Sequence, residues 1–182
     1  MSGPNGIIVF GANGSGKTTL GRELARILGF KHMDHEDYAF LESEIPYARP
    51  RPHDACVRLM LSDIEKHGSF VLSSVTGNFG DKITQYYDLA VYMSAPRELR
   101  VKRIERRANN QYGDRVQKGG DMYEQQLIFA GFAGSRPLDK IERWAGTLTC
   151  LVICVDGAED WRVNAARITE KFRVLRGIAI ED

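Results

Sequence analysis

The chain is poor in cysteine and in surplus charge of either sign, and it has no long apolar run. Three cysteines, Cys56, Cys150 and Cys154, occur among 182 residues. So sparse and odd a set cannot build a disulfide framework and fits a reducing compartment. Cys150 and Cys154 are expected on one buried strand as small core residues. Four strand positions would separate them by roughly 13 Å, too far for a disulfide or a shared metal. No stretch approaches the roughly 20 apolar residues that span a bilayer. The first residues lack the charged and apolar regions of a secretory signal. A cytoplasmic location and no membrane partner are therefore expected. Lysine and arginine number 25 against 24 acidic residues, a net charge of +1, which excludes a generally basic nucleic-acid binder but leaves room for a local basic cluster. The four histidines, His32, His35, His53 and His67, have no spacing suited to a metal. No internal repeat and no low-complexity segment is present.

What is there is the material of one soluble domain: 43% apolar and 27% charged residues, in a chain long enough to bury a core. Apolar runs of strand length alternate with helical patterns. Gly6 to Phe10, Lys31 to Asp34, Ser69 to Ser73, Leu89 to Met93 and Leu148 to Val155 read as strands. Gly16 to Leu28, Pro52 to His67, Glu98 to Ala108, Met122 to Ala130 and Trp161 to Leu175 read as helices. Strands that are apolar throughout, separated by helices, predict an α/β fold with a five-stranded parallel sheet covered on both faces. Two stretches break the pattern. Residues 35 to 52 are acidic and proline-rich. Residues 109 to 121 have almost no apolar side chains and read as a mobile surface loop.

The sharpest signal is Gly11-Ala12-Asn13-Gly14-Ser15-Gly16-Lys17-Thr18, which matches GxxxxGK[ST] between an apolar strand and an amphipathic helix. Glycines at these points let the chain curl so that successive N–H groups face inward and bind anions, assisted by the helix N-terminus. Lys17 supplies a point charge to the β and γ phosphates, and the Thr18 hydroxyl is placed to hold Mg²⁺. Thr19 follows in the first helical turn. The motif predicts binding of a nucleoside triphosphate, ATP with Mg²⁺.

Asp34 closes the second strand, at the carboxyl end where ligands bind in open parallel sheets. It is a candidate to hold Mg²⁺ or to take the proton of an attacking hydroxyl, and Asp37 is the alternative base. Glu36 and Asp37 also suit a helix start, where the dipole favours acids. The stretch from Arg97 to Arg107 is dense in guanidinium groups. Arg103 and Arg107, four apart, share a helix face and are assigned to the transferred phosphate. Arg100 and Arg106 read as solvated. Arg115 and Arg136 fit a phosphate role or a surface role equally. Fixed arginines stabilise the charge of phosphoryl transfer, and a closing loop excludes water.

With these elements the chain resembles the P-loop small-molecule kinases, the group of nucleoside monophosphate kinases and shikimate kinase. That resemblance implies a three-layer P-loop NTPase fold with two inserts, in a single domain over 1–182. The core would comprise 1–34, 68–106 and 122–182, the acceptor-binding segment about 35–67 and the lid about 107–121. Arg103 and Arg107 are similar to an adenylate-kinase pair in which one arginine lies along the adenine and the other reaches phosphate. Asp34 is similar to the strand-two aspartate of shikimate kinase that supports Mg²⁺. Asp156 and Gly157 resemble the stretch that borders the adenine. Ser73 to Gly80 departs from both relatives, lacking the Asp-Gly-Phe-Pro-Arg of adenylate kinases and the triple glycine of shikimate kinases. Arg49, Arg51 and Arg58 are candidates to grip an anionic acceptor.

The expected activity is transfer of the γ-phosphate of ATP to a small-molecule acceptor, either nucleoside monophosphate-like or a small hydroxyl compound. A P-loop hydrolase or switch protein that binds a partner is the alternative. It would call for an acidic residue after the third strand, where SFVLSS stands instead. No NKxD motif supports a GTPase, and a nucleic-acid end kinase ranks third because charge is nearly balanced. Monomer and homodimer are both compatible with the sequence.

Overall fold

A computed structural model describes residues 4–177. Its sheet has five parallel strands in the order β2-β3-β1-β4-β5. They are β1 Gly6–Phe10, β2 Lys31–Asp34, β3 Phe70–Ser74, β4 Tyr87–Ser94 and β5 Leu151–Asp156. The helices are α1 Lys17–Leu28, α2 His35–Ala39, α3 His53–His67, α4 Asp81–Thr84, α5 Arg97–Tyr112, α6 Tyr123–Ser135, α7 Asp139–Ala145 and α8 Trp161–Leu175. This is the expected α/β architecture.

The central strand β1 is buried at every position, so alternate side chains serve opposite faces. Ile7 and Val9 meet Leu20 and Leu24 of α1 and Ile168 and Phe172 of α8. Ile8 and Phe10 join Met60 and Ile64 of α3, Ile83 of α4 and Ile141 of α7 on the other face. Phe10 is wholly buried, stacks on Tyr92 at 5.2 Å and meets Trp144 edge-on at 4.9 Å. Burial of such a side chain stabilises the fold by about 1.5–3 kcal/mol. It also anchors the strand end from which the phosphate loop departs.

Three local expectations are corrected. Residues 109 to 121 are not an irregular loop, because α5 continues through Tyr112 and a 3-10 turn follows over Gly113–Val116. Ala108, Val116 and Met122 pack together with Tyr112 against them, and this tertiary packing overrides the weak helix propensity of Asn109 and Asn110. Cys150 and Cys154 do not share a buried strand, although Cys150 packs half-buried against the core. Cys150 precedes β5, Cys154 is exposed, and β5 is the sheet edge with Leu151 42% exposed. Arg100 is not solvated either. It is 4% exposed and donates through Nη1 to Ala133 O at 2.9 Å where α5 meets α6. Helix α6 runs five residues beyond its expected end at Ala130, and the short α2, α4 and α7 carry too few turns to show a periodic stripe.

Candidate active site

The loop between β1 and α1 is held from three sides. A Cβ at Gly14 would strike the backbone of Arg100, and this glycine has φ 79°, so α5 presses close enough that only glycine fits. Gly16 caps α1 in a left-handed conformation with no side-chain cap, which leaves the first N–H groups of the helix free for an anion. A Cβ at Gly157 would lie 2.5 Å from Ser15 O and 2.9 Å from Ser94 O; the turn after β5 therefore packs on the loop. Arg103 Nη1 donates to Ser15 O at 3.2 Å. The Ser15 hydroxyl and Asn13 Oδ1 are buried and have no hydrogen-bond partner in the structure. Orphaned polar atoms in such a loop call for a ligand or ordered water.

The Lys17 ammonium donates to Ala12 O at 2.8 Å. Burial lowers its pKa to about 8, opposed by the charges of Glu36 and Asp34 and assisted by those of Arg107 and Arg136. All four charged groups therefore sit close enough to be felt at the ammonium. The next residue, Thr18, donates through Oγ1 to Asp34 Oδ2 at 2.9 Å. Asp34 ends β2 and caps α2, accepting from Glu36 N at 3.2 Å on its other oxygen. Behind this pair, the Ser73 hydroxyl donates to Lys17 O at 3.3 Å and pairs with His32 Nε2 at 3.0 Å. The serine that stands where another P-loop protein would carry an acid thus braces the start of α1.

Two adjoining cavities open above the carboxyl ends of the strands. The larger, about 680 Å³, is lined by the loop from Asn13 to Thr19, by Asp34 and Glu36, by Arg103, Arg106 and Arg107, and by Gly157, Glu159 and Trp161. The smaller, about 320 Å³, lies under α2, α5 and α6. Asn13, His35, Glu36, Arg107 and Gln111 are among the residues that line both, so they mark the passage between them.

Of the residues selected from sequence, Asn13 to Thr19, Asp34, Arg103, Arg107 and Gly157 border the larger cavity. Gly11, Ala12 and Asp156 do not. Gly11 N donates to Val75 O. The Asp156 carboxylate is tied up in its own turn, accepting from Ala158 N at 2.8 Å, while its backbone carbonyl accepts from Asn164 Nδ2 of α8 at 2.9 Å. Asp37 is exposed and lines neither cavity, while its neighbour Glu36 lines both. Arg115 forms a two-pronged pair with Asp121 on the surface, at 2.8 and 3.0 Å. Arg49 and Arg58 are exposed, and Arg51 donates to Tyr38 O and Phe40 O; none of the three lines either of these two cavities. The sequence reading missed Glu36, Arg106, Glu159 and Trp161. For Glu36 the available signal was its place in the first turn of a helix that starts beside Asp34.

Thr18 and Asp34 offer a hydroxyl and a carboxylate, hard oxygen donors close together at the mouth of the phosphate loop. That set suits Mg²⁺, which takes few protein ligands and completes its shell with phosphate and water. Among the described residues no cluster of three or more His, Cys, Asp or Glu offers another metal site.

Parallel sheet, phosphate loop and open helix N-terminus define a nucleotide-binding P-loop domain with the fold of small-molecule kinases. Residues 7–127 match the AAA domain family, and the chain belongs to it. It is 31% identical over 173 residues to the uncharacterized protein YqaC of Bacillus subtilis (strain 168), covering 87% of this chain and 90% of that one. In fold it is similar to shikimate kinase from Acinetobacter baumannii in complex with shikimate, with a TM-score of 0.55 at 18% identity over 99% and 97% of the two chains. A sugar kinase from Janibacter sp. HTCC2649 gives a TM-score of 0.52 at 15% identity over 97% and 96%. No described helix is long and apolar enough to cross a membrane.

Proposed function

We propose that this protein is a kinase that transfers the γ-phosphoryl group of ATP to a hydroxyl of a small molecule. The observation that carries the reading is the pair of joined cavities, with the P-loop in one and Glu36 and Arg107 at the passage into the other. A hydrolase needs room only for water beside the phosphate.

In this reading the amides of residues 13 to 18 and the Lys17 ammonium hold the β and γ phosphates. Thr18 and Asp34 would hold Mg²⁺, which neutralises charge on the phosphates when bound. Arg103, already fixed on Ser15 O, lies along the nucleotide side, with Trp161 and Gly157 as further borders. The acceptor oxygen attacks the γ-phosphorus while the bond to the β–γ bridging oxygen breaks, so the electron pair leaves with ADP. The hydroxyl proton passes to Glu36, the carboxylate that faces both cavities. Arg107 stabilises the negative charge spread over the moving group. Residues 35–67 form the acceptor segment. The lid over 107–121 is a helical extension with a tight turn.

The test is an ADP-release assay of the purified protein with ATP and Mg²⁺ against hydroxyl compounds and nucleoside monophosphates. Acceptor-dependent release that disappears in Lys17→Met supports the proposal. Steady release without any acceptor would replace it with a hydrolase.

A further inference from the structure

The smaller cavity carries information about the acceptor that goes beyond phosphoryl transfer. Its charged side chains are Glu36 and Arg107, of opposite sign, and both belong also to the nucleotide cavity. Beyond that passage the walls come from Phe40, Tyr47, Tyr112 and Phe129, with amides from Gln125 and Gln126. An acceptor with a carboxylate or phosphate of its own would lose hydration there and meet no cation reserved for it. The arginines of the acceptor segment do not supply one, since Arg51 is bound to backbone carbonyls and Arg49 and Arg58 lie outside. His35 also borders the cavity, its ring set against Phe79 at 4.9 Å.

Aromatic walls favour a flat ring. An amide side chain presents a donor and an acceptor together, which suits a heterocycle with both kinds of group on one edge. Asn13 and Tyr112 both line this cavity, and Asn13 Oδ1 is buried without a hydrogen-bond partner in the structure. Tyr47 holds φ 64°, a backbone state that costs a non-glycine residue about 1–3 kcal/mol and clusters at ligand sites. A volume of about 320 Å³ lies at the small end of small-molecule sites.

We infer that the acceptor is an uncharged hydroxyl compound bearing a hydrogen-bonding heterocyclic ring, nucleoside-like in chemistry, and not a sugar acid or a nucleotide. This rests on the kinase reading. The ring lies between the aromatic side chains and bonds to the glutamine amides. Its hydroxyl reaches Asn13 and Glu36 at the passage.

The experiment loads the protein with Mg²⁺ and a non-hydrolysable ATP analogue, then titrates it by calorimetry. Four ribonucleosides, their 5′-monophosphates, gluconate and shikimate are compared. At least one nucleoside is expected to bind tenfold or more tightly than its monophosphate and either acid, and to be phosphorylated when ATP replaces the analogue. Its KM should rise at least tenfold in both Gln126→Leu and Phe129→Leu, with the KM for ATP unchanged. Preference for a monophosphate or an acid overturns the inference, as does an analogue-loaded protein that binds no nucleoside; both leave the kinase reading standing. A protein that does not bind the analogue would refute the kinase reading itself, and the inference with it.

Discussion

Thr18 Oγ1 donates to Asp34 Oδ2 across 2.9 Å, tying the first turn of α1 to the end of β2. The other Asp34 oxygen accepts from Glu36 N, so this carboxylate is committed on both sides before any ligand arrives. That suits a group that positions a cation better than one that must accept a proton. Asp34→Asn keeps a capping oxygen for α2, since Asn and Asp are comparable caps, and should leave the melting temperature nearly unchanged. The Mg²⁺ concentration for half-maximal activity should rise about 10–100-fold. A magnesium titration with the same midpoint as the parent would remove Asp34 from the metal site.

Glu36, and not Asp37, borders both cavities, and the choice of base is testable by paired substitution. Glu36→Gln should lower kcat by about 10²–10⁴-fold, the usual contribution of a positioned acid or base, with the KM for ATP little changed. Asp37→Asn should retain kcat within about twofold, as expected of an exposed residue away from the chemistry. The opposite pattern would transfer the role to Asp37.

How much of this was legible in the sequence depends on the distance over which each feature is determined. The phosphate loop is local: a buried strand, fixed glycine spacing and an amphipathic helix lie within one run from Gly6 to Leu28. The parallel sheet follows from apolar strands alternating with helices. The choice between Glu36 and Asp37 is not local, because neighbouring helical residues point about 100° apart and α2 is oriented by its tertiary contacts. One of these is the bond from the Tyr38 hydroxyl to Asp63 Oδ2 of α3 at 2.5 Å. The same holds for α5, whose spacing puts Arg100, Arg103 and Arg107 on related faces. Only the crossing of α6 decides that Arg100 is buried against Ala133 while Arg103 reaches the loop. The helix after Ala108 was illegible because its stability comes from Val116 and Met122, not from its own residues.

The pKa of Lys17, lowered to about 8 by burial, gives a pH signature. Below pH 8 the ammonium is charged in both folded and unfolded protein, and its full burial cost weighs on the fold. As pH rises from about 8 toward the ordinary value of 10.5, the folded state releases this proton first and stability increases. Relative to Lys17→Met, the ligand-free protein should therefore gain stability across that window. Phosphate oxygens stabilise the ammonium, so nucleotide binding at pH 8.5 should take up a substantial fraction of a proton. Calorimetry in two buffers of different ionisation enthalpy measures it. Equal proton uptake by Lys17→Met would show that another group is responsible.

Gly157 joins the end of β5 to the phosphate loop through contact alone. Its N–H donates to Ser94 O at 2.6 Å, and a Cβ would stand 2.5 Å from Ser15 O and 2.9 Å from Ser94 O. Both are backbone atoms, which yield less readily than a side-chain end. Its φ is not in the left-handed region, so Gly157→Ala is a purely steric change. The added methyl must push the β5 turn away from the loop, at a cost of about 1–3 kcal/mol. That corresponds to a fall in melting temperature of roughly 2–12 °C for a chain of this size. Because the displaced atoms border the nucleotide cavity and not the acceptor cavity, the KM for ATP should rise about tenfold or more while the acceptor KM holds. Gly146→Ala is the control. There an added Cβ comes no closer than 3.4 Å to its nearest neighbour, Arg143 O, at an exposed position, and the change should stay within about 0.5 kcal/mol. Equal behaviour of the two variants in a thermal melt and an ATP titration would show that the turn after β5 neither braces the loop nor shapes the nucleotide site.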